Sequence, residues 1–241
     1  MRTVNLVKGQ NTNLLGATKI IVEISWKTRD KLQDETRDDW TPPELDAALF
    51  LLDERVVARD ASDFVFYNNP DPHALNGCAQ IKGAWGSREP RLSSKAPTNV
   101  DYDNPNCDLF EIDLTKVPNE VESVEFVLAA YQSSNAADKG VFDFRSVESA
   151  RFRIVDSERD KGIANFDLYT EDRGGRDDYL NALESSCAEL DPPLNQTVLL
   201  GALYRRAPLG ADWSVVALGL GYDYDLAKYA RVNNARRSTK N

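Results

Sequence analysis

The chain contains one histidine, one methionine and three cysteines in 241 residues. Each scarcity removes a class of chemistry. His73 is the only imidazole, and it lies in the proline-rich run Asn69-Pro70-Asp71-Pro72-His73. A general base must be held rigidly between a nucleophile and an orienting acid, and such a loop does not do that. Cys78, Cys107 and Cys187 are odd in number, widely spaced and form no CxxC pair. No structural zinc site is expected from them; reduced thiols in a reducing, cytoplasmic setting are. No apolar run approaches the ~18 residues of a membrane span, and the opening Met1-Arg2-Thr3-Val4-Asn5-Leu6-Val7-Lys8 lacks a signal-peptide core. Direct membrane insertion is therefore not expected. No GxxxxGK[ST] is present and no GxGxxG follows a strand. Gly219-Leu220-Gly221 lacks the third glycine and reads as close backbone packing at a strand end.

Positive charge is also in short supply. Lys and Arg number 29 against 39 Asp and Glu, a net charge of −10. The basic residues are scattered, which argues against a nucleic-acid partner. What the chain does have is apolar material, 41% of its residues, enough to bury a sizeable core.

That material falls into short β-type runs. Strands are expected at Val4-Asn5-Leu6-Val7, at Lys19-Ile20-Ile21-Val22-Glu23-Ile24-Ser25-Trp26, over residues 45–52 and 64–67, and at Ala79-Gln80-Ile81. Val56-Val57 reads as a short strand between two of them. Further strands are expected over 108–114, where acid alternates with apolar as on a half-buried strand, and over 123–131, 150–155 and 163–168. A final hairpin joins 197–204 to 213–218. Asp177-Asp178 reads as the cap of one short helix and Asp225 as the cap of another. About nine to eleven strands with no helix–strand alternation define an all-β protein, a β-sandwich of two mainly antiparallel sheets. Residues 1–232 read as a single domain with long loop insertions at about 27–43, 70–105 and 171–195, and 233–241 as a flexible basic tail.

The informative stretch runs from Glu44 to Asn69. Glu44-Leu45-Asp46-Ala47-Ala48-Leu49-Phe50-Leu51-Leu52-Asp53 and Asp63-Phe64-Val65-Phe66-Tyr67-Asn68-Asn69 are apolar strands bounded by hard oxygen donors. Asp60 and Asp63 with Asn68 and Asn69 form one cluster, and Asp101, Asp103, Asn104, Asn106 and Asp108 another. Calcium takes about six to eight oxygens from such groups. Carboxylates gathered without a cation repel each other, so clustering implies a cation, protonation or distance. The spacing is not that of an EF-hand. The acids of 30–39 are interleaved with Lys31 and Arg37 and read as a solvated loop. The pairs Glu111/Asp113 and Glu44/Asp46 each share a strand face and could in principle serve acid–base hydrolysis. No aromatic-lined cleft accompanies them, because Trp26, Trp40, Trp85 and Trp213 are dispersed.

These segments, in this order, resemble the TerD-domain family of tellurium-resistance and stress-response proteins. The resemblance is carried by Val4-Asn5-Leu6-Val7-Lys8-Gly9, the strand ending Ser25-Trp26, the run from Glu44 to Leu52, and Asp63-Phe64-Val65-Phe66-Tyr67-Asn68-Asn69. It continues through Phe110-Glu111-Ile112-Asp113-Leu114, Val117-Pro118-Asn119-Glu120-Val121, Ala150-Arg151-Phe152-Arg153-Ile154-Val155, Leu203-Tyr204-Arg205, Trp213 and Gly219-Leu220-Gly221-Tyr222. It implies a cytoplasmic, non-enzymatic, calcium-binding β-sandwich that acts in tellurite resistance or stress response within a multiprotein complex. One or two calcium ions are implied, with Glu44, Asp46, Asn68, Asn69, Asp103 and Asp108 as metal ligands. Glu44 replaces a usual Asp, and Pro105-Asn106-Cys107-Asp108 stands where the family's segment is nearly all acid. A metal-free TerD-like protein–protein interaction module with a degenerate calcium site is the alternative expectation.

Overall fold

The computed structural model describes residues 3–14, 16–28, 44–59, 63–66, 79–82, 106–131, 144, 147–168, 197–205, 212–222 and 225–235. They form twelve strands and one helix: β1 Val4–Leu6, β2 Asn11–Asn13, β3 Lys19–Thr28, β4 Glu44–Leu52, β5 Phe64–Val65, β6 Ala79–Lys82, β7 Cys107–Asp113, β8 Ser123–Tyr131, β9 Val147–Asp156, β10 Lys161–Asp167, β11 Thr197–Arg205, β12 Trp213–Tyr222 and α1 Leu226–Ala235. Sheet A runs β1-β10-β9-β3-β7-β6, and sheet B runs β2-β12-β11-β8-β4-β5. Every pairing is antiparallel except β1 with β10. The all-β sandwich expected from the strand rhythm is the fold observed.

Alternation sorts each strand between the two faces of its sheet. On β4, Leu45, Ala47, Leu49 and Leu51 join the core between the sheets, while Ala48, Phe50 and Leu52 join a second apolar cluster on the outer face of sheet B. The inter-sheet core is pinned by three rings. Phe110 of β7 meets Phe126 of β8 edge-on at 5.8 Å, and Phe126 meets Phe152 of β9 at 5.3 Å. All three are buried, each worth roughly 1.5–3 kcal/mol of transfer free energy. Two glycines let the backbone close on the core, one of them against Phe152. A Cβ on Gly201 would lie 2.8 Å from the Val216 carbonyl oxygen and 3.0 Å from Phe152 Cε1. Gly219 has φ +56°, where β11 and β12 shift register, and its open side faces Phe166 and Leu168. The strand-end packing read from Gly219-Leu220-Gly221 is thus a β-bulge that needs glycine.

The two ends of the sandwich differ. At one rim the turns are short and cross-braced. Asp156 Oδ1 accepts the N–H groups of Glu158 and Arg159 in the β9–β10 turn. Arg205 holds the β7–β8 connection: Nε donates to the Val121 carbonyl at 2.8 Å, and Nη2 donates to those of Val117 and Pro118 at 3.0 and 2.9 Å. Its guanidinium lies 4.7 Å from the Trp213 ring centroid. At the opposite rim, connections 29–43, 83–105, 132–146 and 169–196 all begin and end. The register places Thr28 with Val147, Glu44 with Tyr131, Lys82 with Leu109, Asp167 with Arg151 and Thr197 with Ala129 there.

Several expectations need correction. Val56-Val57 is not a strand but part of the turn after β4, in which Asp53 Oδ1 accepts the N–H groups of Arg55 and Val57. Asn11–Asn13, a polar run read as turn, is strand β2, recruited by pairing with β12. β7 is buried along its whole length rather than half-buried, because its outward face is covered as well as its inward one. α1 extends to Ala235, so residues 233–235 are helical rather than tail. The helix expected after Asp177-Asp178, His73, Cys78 and Cys187 lie outside the described residues.

Two substitutions test these turns. Arg205→Lys keeps the charge but loses the planar fork and the stacking on Trp213; a loss of about 2 kcal/mol is expected in denaturant unfolding. Val56 is β-branched and exposed, yet has φ +59°, a conformation costing roughly 1–2 kcal/mol outside glycine. Val56→Gly is expected to raise stability by about 1 kcal/mol, read as a higher melting temperature.

Candidate metal centre

The site is built from the first residues of β4 and β7, which face each other across the gap between the sheets. On β7, Phe110 and Ile112 point into the core, while Cys107 and Leu109 pack outward with Ile21 and Val155. Asp108 shares the inward parity of Phe110, so a carboxylate occupies a core-facing position. It is 7% exposed. Its Oδ2 accepts the Ala47 backbone N–H at 2.8 Å, a hydrogen bond that crosses from one sheet to the other. Among the described residues β5 pairs with β4 at Leu49 and Phe50.

Burial pushes the Asp108 carboxyl up to about 7; the Ala47 hydrogen bond opposes this, and the negative charge of Asp46 adds to it. The direction follows from a carboxylate moved out of water with another acid in electrostatic reach. Asp46, on the β4 row that also carries Ala48, Phe50 and Leu52, thus lies within electrostatic reach of Asp108, and Asp108 is tied to both sheets by its own strand and by the Ala47 hydrogen bond.

Of the six expected ligands, Asp46 and Asp108 lie within electrostatic reach of each other. Glu44 opens β4 opposite Tyr131, two residues before Asp46. Asn68, Asn69 and Asp103 lie outside the described residues, and so do Asp60, Asp101 and Asn104. Among the described residues no group of three or more His, Cys, Asp or Glu side chains gathers. Asp63, counted in the sequence clusters, belongs to a different arrangement. Its oxygens take Arg59 Nη2 at 2.6 Å and Arg59 Nε at 2.8 Å, a buried ion pair that closes the turn before β5. Glu111 and Asp113 lie on the outer face of sheet A. Asp113 Oδ1 accepts both the N–H and the hydroxyl of Thr115, which makes it a turn-capping group rather than an acid–base partner.

The family resemblance names Asp108 among six metal ligands, but that reading does not say that its side chain faces the core. The signal was a break in phase. From Phe110 to Leu114 the apolar residues fall on one parity and the acids on the other, yet Leu109 and Phe110 are adjacent apolar residues. Keeping Phe110 inward sends Leu109 outward and turns Asp108 into the core.

The TerD domain profile matches residues 2–177, and the chain belongs to the TerD domain family. General stress protein 16U of Bacillus subtilis (strain 168) is 25% identical over 232 residues, covering 95% of each chain. Tellurium resistance protein TerD of Serratia marcescens is 25% identical over 229 residues, covering 93% of this chain and 94% of its own. A crystal structure of a homologue of telluride resistance protein (TerD) from Streptomyces coelicolor A3(2) shares the fold with a TM-score of 0.52 at 13% identity, over 89% of this chain and 96% of that chain. These names describe resistance and stress response, and none is the name of an enzyme. Among the described residues no helix is long and apolar enough to cross a membrane.

The raised Asp108 carboxyl sets a pH dependence for the cation-free protein. Below the ordinary carboxylate value of 3.8 both folded and unfolded chains hold the proton. Between 3.8 and about 7 only the folded chain does, so this stability is lost as pH rises and is gone above the folded value. Asp108→Asn keeps an acceptor for Ala47 and removes the charge. In chelator the variant is expected to exceed the parent by up to about 4 kcal/mol at pH 8, the gap closing toward pH 4. Melting curves across that range check it.

Proposed function

We propose that this protein is a non-enzymatic, calcium-binding β-sandwich that acts in tellurite resistance or stress response as part of a multiprotein complex. The observation that carries the calcium reading is Asp108 with Asp46 in electrostatic reach: a buried carboxyl in the core-facing row, pushed up by burial and by a second acid. A hard dication relieves that repulsion directly, and carboxylate oxygen is the donor calcium prefers. Asp108 and Asp46 would hold the ion, with Glu44 as a further carboxylate. Asn68, Asn69 and Asp103 are proposed as the remaining side-chain donors on the strength of the family resemblance.

The bound ion would supply a positive charge that ties β4 of one sheet to β7 of the other. The chain's own residues do the positioning: Ala47 N–H orients one Asp108 oxygen, and the strand pairings fix where both acids stand. No step of covalent chemistry is implied. The resistance and stress role is supported by the family and by the names of relatives 25% identical along almost the whole chain.

Titration calorimetry with calcium, on protein stripped by chelator, tests the reading. Heat of binding and a melting temperature that rises with free calcium are expected, by about 2.7 kcal/mol of added stability at a hundredfold excess over Kd. Asp108→Asn reverses its rank here: more stable than the parent in chelator, it should gain little from calcium. Absence of both heat and shift at millimolar calcium would sink the calcium claim and leave the metal-free interaction module, whose partner capture would be indifferent to chelation.

A further inference from the structure

The core-facing residues one step outside Asp108 form an apolar collar at the mouth of the sandwich. Ile24 stands opposite Asp108 on β3, so Trp26 is the next residue of that row toward the mouth. Ala150 is opposite Trp26 on β9, and its carbonyl accepts the Leu168 N–H at 2.9 Å. On the facing sheet, Leu45 lies one step outside Ala47, whose N–H meets Asp108, and pairs with Ala130. Trp26, Ala150, Leu168, Leu45 and Ala130 all belong to the inter-sheet core or pack against it. Asp108 is thus a carboxyl set one layer below an apolar rim.

Trp26 is the longest side chain of that collar. Diagonal neighbours on paired strands lie roughly 7–8 Å apart, within reach of an aromatic ring. Asp108 and Trp26 stand in that relation across β7 and β3. The small Ala150 on the opposite flank leaves room for the indole. The backbone is fixed as well: the Trp26 N–H donates to the Asn106 carbonyl at 3.0 Å, two residues before Asp108. An apolar wall beside a metal-binding carboxylate controls how much water reaches it. The two common hard dications differ on this point. Magnesium keeps several waters and gives them up reluctantly, whereas calcium takes about six to eight oxygens at longer distances and in looser geometry.

We propose that Trp26 is a positioning residue for the calcium site: it holds the Asp108 carboxyl between its ring and the Ala47 N–H, closes the inner side of the site to water, and so sets a preference for calcium over magnesium. This rests on the calcium reading of Asp108. With Oδ2 on Ala47, Oδ1 is the oxygen that meets the ion. Coordination there strips water from the collar side of the ion, a loss that magnesium resists and calcium tolerates.

The test uses the full chain, stripped by chelator, with Trp26→Leu, which keeps an apolar side chain but shortens it, and Trp26→Phe, which restores a ring. Calorimetry gives the dissociation constant for calcium directly and that for magnesium by competition. The preference for calcium is expected to fall about tenfold in Trp26→Leu, with calcium weakened and magnesium little changed, and to return largely in Trp26→Phe. A role in stability alone would weaken both ions together and leave the preference in place. A second measurement needs no metal. Amide hydrogen exchange at Ala47, followed by NMR in chelator, is expected to be about tenfold faster in Trp26→Leu, while the amides of β8 keep the parent's rates. If Trp26→Leu folds poorly, Trp26→Phe carries both comparisons with a smaller shift. The proposal is overturned if the folded variants keep the parent's preference for calcium, or if Ala47 exchange does not change. A parent chain that takes up no calcium sinks the calcium reading and the preference with it; a parent that binds calcium while the variants match it sinks the role of Trp26 alone.

Discussion

Everything in this molecule depends on two twisted sheets sealing their inner faces against each other. Phe110, Phe126 and Phe152 span the gap, and Gly201 lets the backbone close on Phe152. Once those rings are inside, alternation leaves no freedom: each residue of β4, β7, β8 and β9 is assigned a side. Asp108 is inside for that reason and not because its own immediate surroundings favour it. The stability of a buried aromatic core, several kcal/mol per ring cluster, holds a carboxyl where it alone would not remain.

This is also why the architecture was legible from sequence and the site only partly so. β3, β8, β9 and β11 are β-branched or alternating runs, and each was found where expected. β2 was not, since Asn11-Thr12-Asn13 has no strand character of its own and is ordered by its neighbour β12. Val56 looked like strand because valine favours strands; the turn overrode that preference and holds the residue at positive φ. Asp46 and Asp108 were both named as ligands, but only the three-dimensional register shows that one faces the core and hydrogen-bonds to the strand that carries the other.

Motifs distant in sequence prove to be single physical units. Val117-Pro118-Asn119-Glu120-Val121 and Leu203-Tyr204-Arg205 are about eighty residues apart. The guanidinium of Arg205 makes them one piece by taking three carbonyls of the first and stacking on Trp213. Asp63 shows the same logic on a local scale, where an acid that could have served a cation is committed to Arg59. Acids bound in this way are framework; Asp108 differs in accepting a backbone N–H of the opposite sheet from a core-facing position.

The contrast between the two rims has a consequence for how such a chain can change. The four longest connections, 29–43, 83–105, 132–146 and 169–196, are rooted at the end where Asp108 sits, so lengthening or shortening any of them leaves the strand pairings and the Arg205 brace untouched. Loop length adds little to the closure entropy, which grows only with its logarithm. One end of the sandwich behaves as a keel and the other as a set of interchangeable fittings around a fixed pair of acids. New specificity can be acquired at that mouth by insertion alone, with no repacking of the core beneath it.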